Sequence, residues 1–190
     1  MEKLREISPE EARQRLGEFH VIDVRGEHEF RGPLGRVKGS RLVPLPELEA
    51  RARELPRDRP LLLVCRSGAR SGKACEKLAA LGIGPVVNLT GGMIGWNRAQ
   101  LPIEQTDPSS LPELVDALVS WVAQVTGRDR KTVRDELREE LSRERFSLEA
   151  MTHASVERAV DLVEAALRRT GPPPDLDLSL ASFRRWLAVL

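Results

Sequence analysis

The chain has no tyrosine, only two asparagines, three histidines and two cysteines among its 190 residues. Two cysteines cannot staple a disulfide framework, and Cys65 and Cys75 lack the spacing and companions of a zinc site. His20, His28 and His153 are scattered, so no metal site and no cofactor are expected. There is no apolar run near the ~20 residues that cross a bilayer, and Met1-Glu2-Lys3-Leu4-Arg5 lacks a signal-peptide core. A charge excess is missing too: 30 basic and 29 acidic side chains leave +1. That balance argues against strong attraction to nucleic acid or a membrane surface. A cytoplasmic location, where thiols stay reduced, is the expectation.

What is present is a soluble globular composition, 41% apolar and 31% charged. Up to Glu104, short apolar runs alternate with helical patterns. His20–Val24, Leu42–Val43, Leu61–Val64 and Val86–Asn88 read as strands. Pro9–Leu16, Glu27–Arg31, Pro46–Arg53, Gly72–Leu81 and Met93–Ala99 read as helices, the first opened by Ser8 as N-cap, Pro9 and Glu11. This alternation predicts a parallel sheet with helices on both faces. From Pro102 to Pro112 prolines and polar residues interrupt the pattern. Beyond, Leu114, Leu118, Trp121, Val122 and Val125 recur at helical spacing. So do Val133, Leu137 and Leu141, and then Ala159, Leu162, Val163, Ala166 and Leu167. Gly171 and three prolines end that third helix, and Leu180–Leu190 reads as a fourth. The expected organisation is an α/β domain over 1–105, a linker over 106–112 and an all-α bundle over 113–190.

The chemistry concentrates at one point. Leu61-Leu62-Leu63-Val64 runs straight into Cys65-Arg66-Ser67-Gly68-Ala69-Arg70-Ser71, and a helix follows. The thiol thus falls at the C-terminal end of a buried strand, where open parallel sheets carry their active groups. The helix N-terminus offers unpaired N–H groups and the positive end of a dipole. Two arginines add charge. Such a cradle favours a thiolate nucleophile and an anionic substrate. Cys65 is the candidate nucleophile, and Arg66, Ser67, Gly68, Ala69, Arg70 and Ser71 are the candidate binding loop. A phosphatase loop has five residues between cysteine and arginine; this one has four, a smaller ring that suits a terminal sulfur better than a phosphoryl group. Cys75, inside the following helix, reads as core packing rather than as a resolving thiol.

Cys-Arg-Ser-Gly-x-Arg-Ser resembles the active loop of rhodanese-family sulfurtransferases. Three further segments resemble that family's signatures: Val21-Ile22-Asp23-Val24-Arg25 with Glu27 to Phe30; Gly39-Ser40-Arg41-Leu42-Val43-Pro44; and Gly91-Gly92-Met93-Ile94-Gly95-Trp96. One departure is Arg36-Val37-Lys38-Gly39, where the family often carries a histidine. The resemblance spans about residues 5 to 104. It implies a rhodanese-like domain that moves sulfane sulfur from thiosulfate or another small anionic donor to a thiol, a protein thiol or cyanide, through a persulfide on Cys65. It also implies that Asp23 and Arg25 are architectural.

No family is recognised in the helical region. Its apolar stripes suit helix packing, on one another, on the first domain or on a second chain, and a homo-oligomer contact or a partner protein is among the expected uses. The alternative is a sulfur-sensing regulator, since Ala123 to Gly127 and Arg130-Lys131-Thr132-Val133 resemble a helix-turn-helix. Asp135, Glu136, Glu139 and Glu140 on the reading helix oppose DNA phosphates.

Overall fold

The structure is a computed structural model that describes residues 5–105, 110–147 and 152–190. The chain divides into two compact units, Met1–Gln105 and Thr106–Leu190.

The first unit is built on five parallel strands, β1 (Glu6–Ile7), β2 (His20–Asp23), β3 (Arg41–Leu42), β4 (Leu61–Val64) and β5 (Val86–Leu89), in the order β1-β5-β4-β2-β3. Four helices accompany them: α1 (Pro9–Gln14), α2 (Glu27–Arg31), α3 (Ala69–Ala80) and α4 (Gly92–Arg98). Alternate strand residues feed two cores, as the period of two requires. On one face Ile22, Val24, Leu61 and Leu63 pack with Ala74, Cys75 and Leu78 of α3. On the other, Val21, Leu62, Val64, Val87 and Leu89 pack with Ala12 of α1 and with Met93 and Trp96 of α4. β4 is central and buried along its whole length, which explains its unbroken apolar run. The Ser8 hydroxyl accepts from the Glu11 N–H at 3.2 Å and caps α1.

Four sequence expectations need correction. β1 was not expected; it is two residues long, too short to show alternation. Pro46–Arg53 is not one helix but two single 3₁₀ turns, Leu45–Glu47 and Ala52–Glu54. Its helical spacing serves instead to deliver Leu48, Ala52 and Leu55 to the core. α3 starts at Ala69 rather than Gly72, because Gly68 takes a left-handed N-cap conformation and turns the loop directly into the helix. In the expected linker, residues 106–109 lie outside the described residues, and Leu111 and Pro112 already belong to a helix. Ser110 caps that helix, and proline is tolerated in the first turn because its missing N–H has no partner there.

Among the described residues the second unit is four helices, α5 (Leu111–Thr126), α6 (Arg130–Arg143), α7 (His153–Thr170) and α8 (Leu176–Leu187). Their apolar faces pack on one another. Leu114, Leu118 and Trp121 of α5 share a core with Leu137 and Leu141 of α6, Val156 and Val160 of α7 and Phe183 and Trp186 of α8. Trp121 and Phe183 meet at 5.6 Å between ring centroids, tilted by 51°. Gly127 in the left-handed region ends α5, Asp129 caps α6, and Thr152 and Ser155 cap α7 reciprocally. No helix among the described residues is long and apolar enough to cross a membrane.

Candidate active site

Cys65 follows the last residue of β4 and is fully buried. The next turn is gripped from α4: the Met93 N–H donates to the Cys65 carbonyl at 2.8 Å and the Ile94 N–H to the Arg66 carbonyl at 3.0 Å. This close approach demands glycine at position 92, which sits at φ +53°. A Cβ there would fall 2.3 Å from the Cys65 oxygen and 2.7 Å from the Arg66 carbonyl carbon. Gly68, at φ +97°, makes the turn into α3, and its N–H donates to Cys65 Sγ at 3.1 Å. The first N–H groups of α3, from Ala69 to Ser71, have no acceptor within the helix. They add the positive end of the helix dipole to the same loop.

The loop's side chains divide by direction. Ser71 is buried, with Oγ 3.3 Å from Cys65 Sγ. Ser67 and Ala69 are exposed, and Arg66 is half-buried. Arg70 makes a fork with Glu29 of α2, Nη1 to Oε2 at 2.6 Å and Nη2 to Oε1 at 2.7 Å. These hydrogen bonds raise the Arg70 pKa above its ordinary value despite partial burial. Arg70 therefore ties the loop to α2 and shares its charge with a carboxylate. Glu29 also accepts from the Gly26 N–H at 3.4 Å.

Beside the loop, Asp23 and Arg25 form a fully buried pair. Both carboxylate oxygens are engaged, with Arg25 Nη2 to Asp23 Oδ2 at 2.7 Å, and Arg25 Nη2 also donates to the Gly35 carbonyl at 2.8 Å. Cys75 lies on the apolar face of α3, in the core with Ile22, Leu61 and Leu63 of the sheet. Burial pushes its thiol up to about 12, so it is protonated near neutral pH and packs as a small apolar group.

Three residues joined to the loop by hydrogen bonds carry little or no signal in the sequence. Glu29 was visible only as part of an acidic-aromatic turn. Glu6 lay in a strand too short to detect. Asn88 carried the one available signal, a carboxamide inside an otherwise apolar strand in a chain with two asparagines.

A five-stranded parallel sheet whose central strand ends in a cysteine loop, closed by glycines from the next strand–helix junction, defines a class of α/β domain. A family model described as a rhodanese-like domain matches residues 8–99. A protein named sulfurtransferase from Allochromatium vinosum is 39% identical over 101 residues, 52% of this chain and 92% of that protein. The uncharacterized protein YqhL of Bacillus subtilis is 36% identical over 93 residues, 49% of this chain and 72% of that one. The crystal structure of a rhodanese-related protein from Thermoplasma volcanium superimposes with a TM-score of 0.50 at 28% identity, covering 54% of this chain and 99% of that one. The chain belongs to the rhodanese-like family through its first unit.

Proposed function

We propose that the protein is a sulfurtransferase that carries sulfane sulfur on Cys65. The Cys65 thiolate attacks the outer sulfur of a donor such as thiosulfate. The donor's S–S bond breaks, sulfite leaves with the electron pair, and the sulfur stays as a persulfide. An acceptor thiol or cyanide then attacks the outer persulfide sulfur and releases the Cys65 thiolate. The N–H groups of Arg66, Ser67, Gly68, Ala69, Arg70 and Ser71 are assigned to the terminal sulfur anion. The observation that carries this reading is the cysteine at the end of the central strand, its sulfur met by the Gly68 N–H in a loop with four residues between Cys65 and Arg70. A reduced, cytoplasmic setting suits a free thiol of this kind.

Thiocyanate formation from thiosulfate and cyanide tests the reading; none under any donor would reject it. Arg70→Ala is expected to lower kcat/KM for thiosulfate roughly tenfold more than for a neutral donor, if Arg70 meets the anion. Equal losses would confine Arg70 to tying the loop to Glu29.

The helical unit is assigned to docking, regulation or assembly rather than to the chemistry. The basic groups of α6 are occupied by carboxylates, which disfavours the DNA-binding alternative. Arg130 and Arg134 share Asp116, Lys131 and Arg138 share Asp135, and Arg143 meets Glu140. A chain ending at Gln105 is expected to retain sulfur transfer to cyanide; an inactive or insoluble product would make the helices part of the catalytic unit.

A further inference from the structure

Ser71 has one hydroxyl proton and three acceptors within reach. Its Oγ lies 2.7 Å from Asn88 Oδ1, 3.1 Å from the Gly68 carbonyl oxygen and 3.3 Å from Cys65 Sγ. Ser71 is fully buried and Asn88 is 4% exposed, so the competition is settled by protein groups. The Asn88 amide has one orientation open to it. Its Nδ2 donates to Glu6 Oε1 at 3.0 Å. An ionised carboxylate only accepts, so the nitrogen must face Glu6 and the oxygen must face Ser71. Glu6 and Asn88 are register partners on β1 and β5, which places their side chains on one face, that of α3 and Ser71.

We propose that Asn88, oriented by Glu6, is a positioning residue that competes with the Cys65 sulfur for the Ser71 hydroxyl proton. When the proton lies on Asn88, Ser71 turns a lone pair toward the sulfur. That arrangement accepts from a thiol and opposes a thiolate. For the thiolate to gain Ser71 as a second donor beside the Gly68 N–H, the hydroxyl must rotate and leave the buried Asn88 oxygen without that donor. An unsatisfied buried acceptor is unfavourable. The relay therefore withholds the Ser71 proton from the sulfur in the resting arrangement. Its use in sulfur transfer rests on the function proposed above; the proton competition itself does not.

The test is a pH titration of thiolate ultraviolet absorbance on the full chain, with the Cys65→Ser chain subtracted. No tyrosine is present to overlap, and Cys75 is pushed up to about 12, so a step well below that range belongs to Cys65. The charged groups on the surrounding elements are Arg66 and Arg70 on the loop and α3, Glu29 on α2, Asp23 and Arg25 at the end of β2, and Glu6 on β1. α4 meets the loop through the N–H groups of Met93 and Ile94. Asn88→Leu changes none of these charges. It is expected to move the titration midpoint toward acid by about half a pH unit or more, because the thiolate then competes for the Ser71 proton only with the neutral Gly68 carbonyl, which already accepts from the Gly72 N–H. In a Ser71→Ala background the same substitution is expected to move nothing. An unchanged or alkaline-shifted midpoint, or an equal shift without Ser71, would overturn the proposal. Asn88→Ala, which is smaller, gives the same reading if leucine does not fit. A chain that shows the shift but takes up no sulfur would reject the proposed function and leave the relay standing.

Discussion

Cys65→Ser is expected to lower sulfur transfer by roughly a thousandfold or more, because a serine hydroxyl near neutral pH is a far weaker nucleophile than a thiolate. The fold should survive. Serine is close in size to cysteine, and its oxygen can accept from the Gly68 N–H that meets the sulfur in this structure. The measurement is single-turnover release of sulfite from thiosulfate, beside a thermal melt. Retained turnover would remove Cys65 from the reaction. Lost turnover with a collapsed melt would leave the role of the thiol unproved by this variant, and Cys65→Ala would then take its place.

Asp23→Ala is expected to destabilise the first unit by about 3–5 kcal/mol, the range for removing one partner of a buried ion pair. Both members are fully buried, and Arg25 also holds the Gly35 carbonyl. Without Asp23 the guanidinium is left as an uncompensated charge in the interior. The exposed pair of Arg31 with Glu27 is a control. Glu27→Ala should change stability by no more than ~0.5 kcal/mol, since solvent screens the pair. Urea denaturation of the two variants measures the contrast. A small effect at Asp23, comparable with that at Glu27, would mean that the buried pair is not architectural.

Local pattern carried the fold far, and long-range contacts carried the rest. The apolar run of β4, the cap at Ser8 and the glycine after α5 each act within a few residues, so their signals sit next to one another in the chain. β1 has two residues, and no alternation can register over that length. The Pro46–Arg53 segment shows where spacing misleads: residues bound for the core recur at helical intervals although the backbone makes only two isolated turns. The strand–loop–helix setting of Cys65 was legible for the same local reason. Its neighbours were not. Glu29 reaches Arg70 across 41 residues, and Glu6 reaches Asn88 across 82. Only the strand order, with β1 beside β5, brings the last two together. The arginine that looked from the sequence like a cation for substrate is held in a carboxylate fork because β2, which leads into α2, pairs with β4, which leads into the loop.

The proposed function rests on covalent carriage of sulfur by Cys65. Intact-mass analysis of the reduced full chain after incubation with thiosulfate, followed by peptide mapping, tests it most directly. The expected result is a gain of about 32 Da, one sulfur atom, on the peptide that contains Cys65, removed by cyanide and absent from Cys65→Ser. An unchanged mass with thiosulfate and with other sulfane donors, or the added sulfur on Cys75 instead, would contradict it.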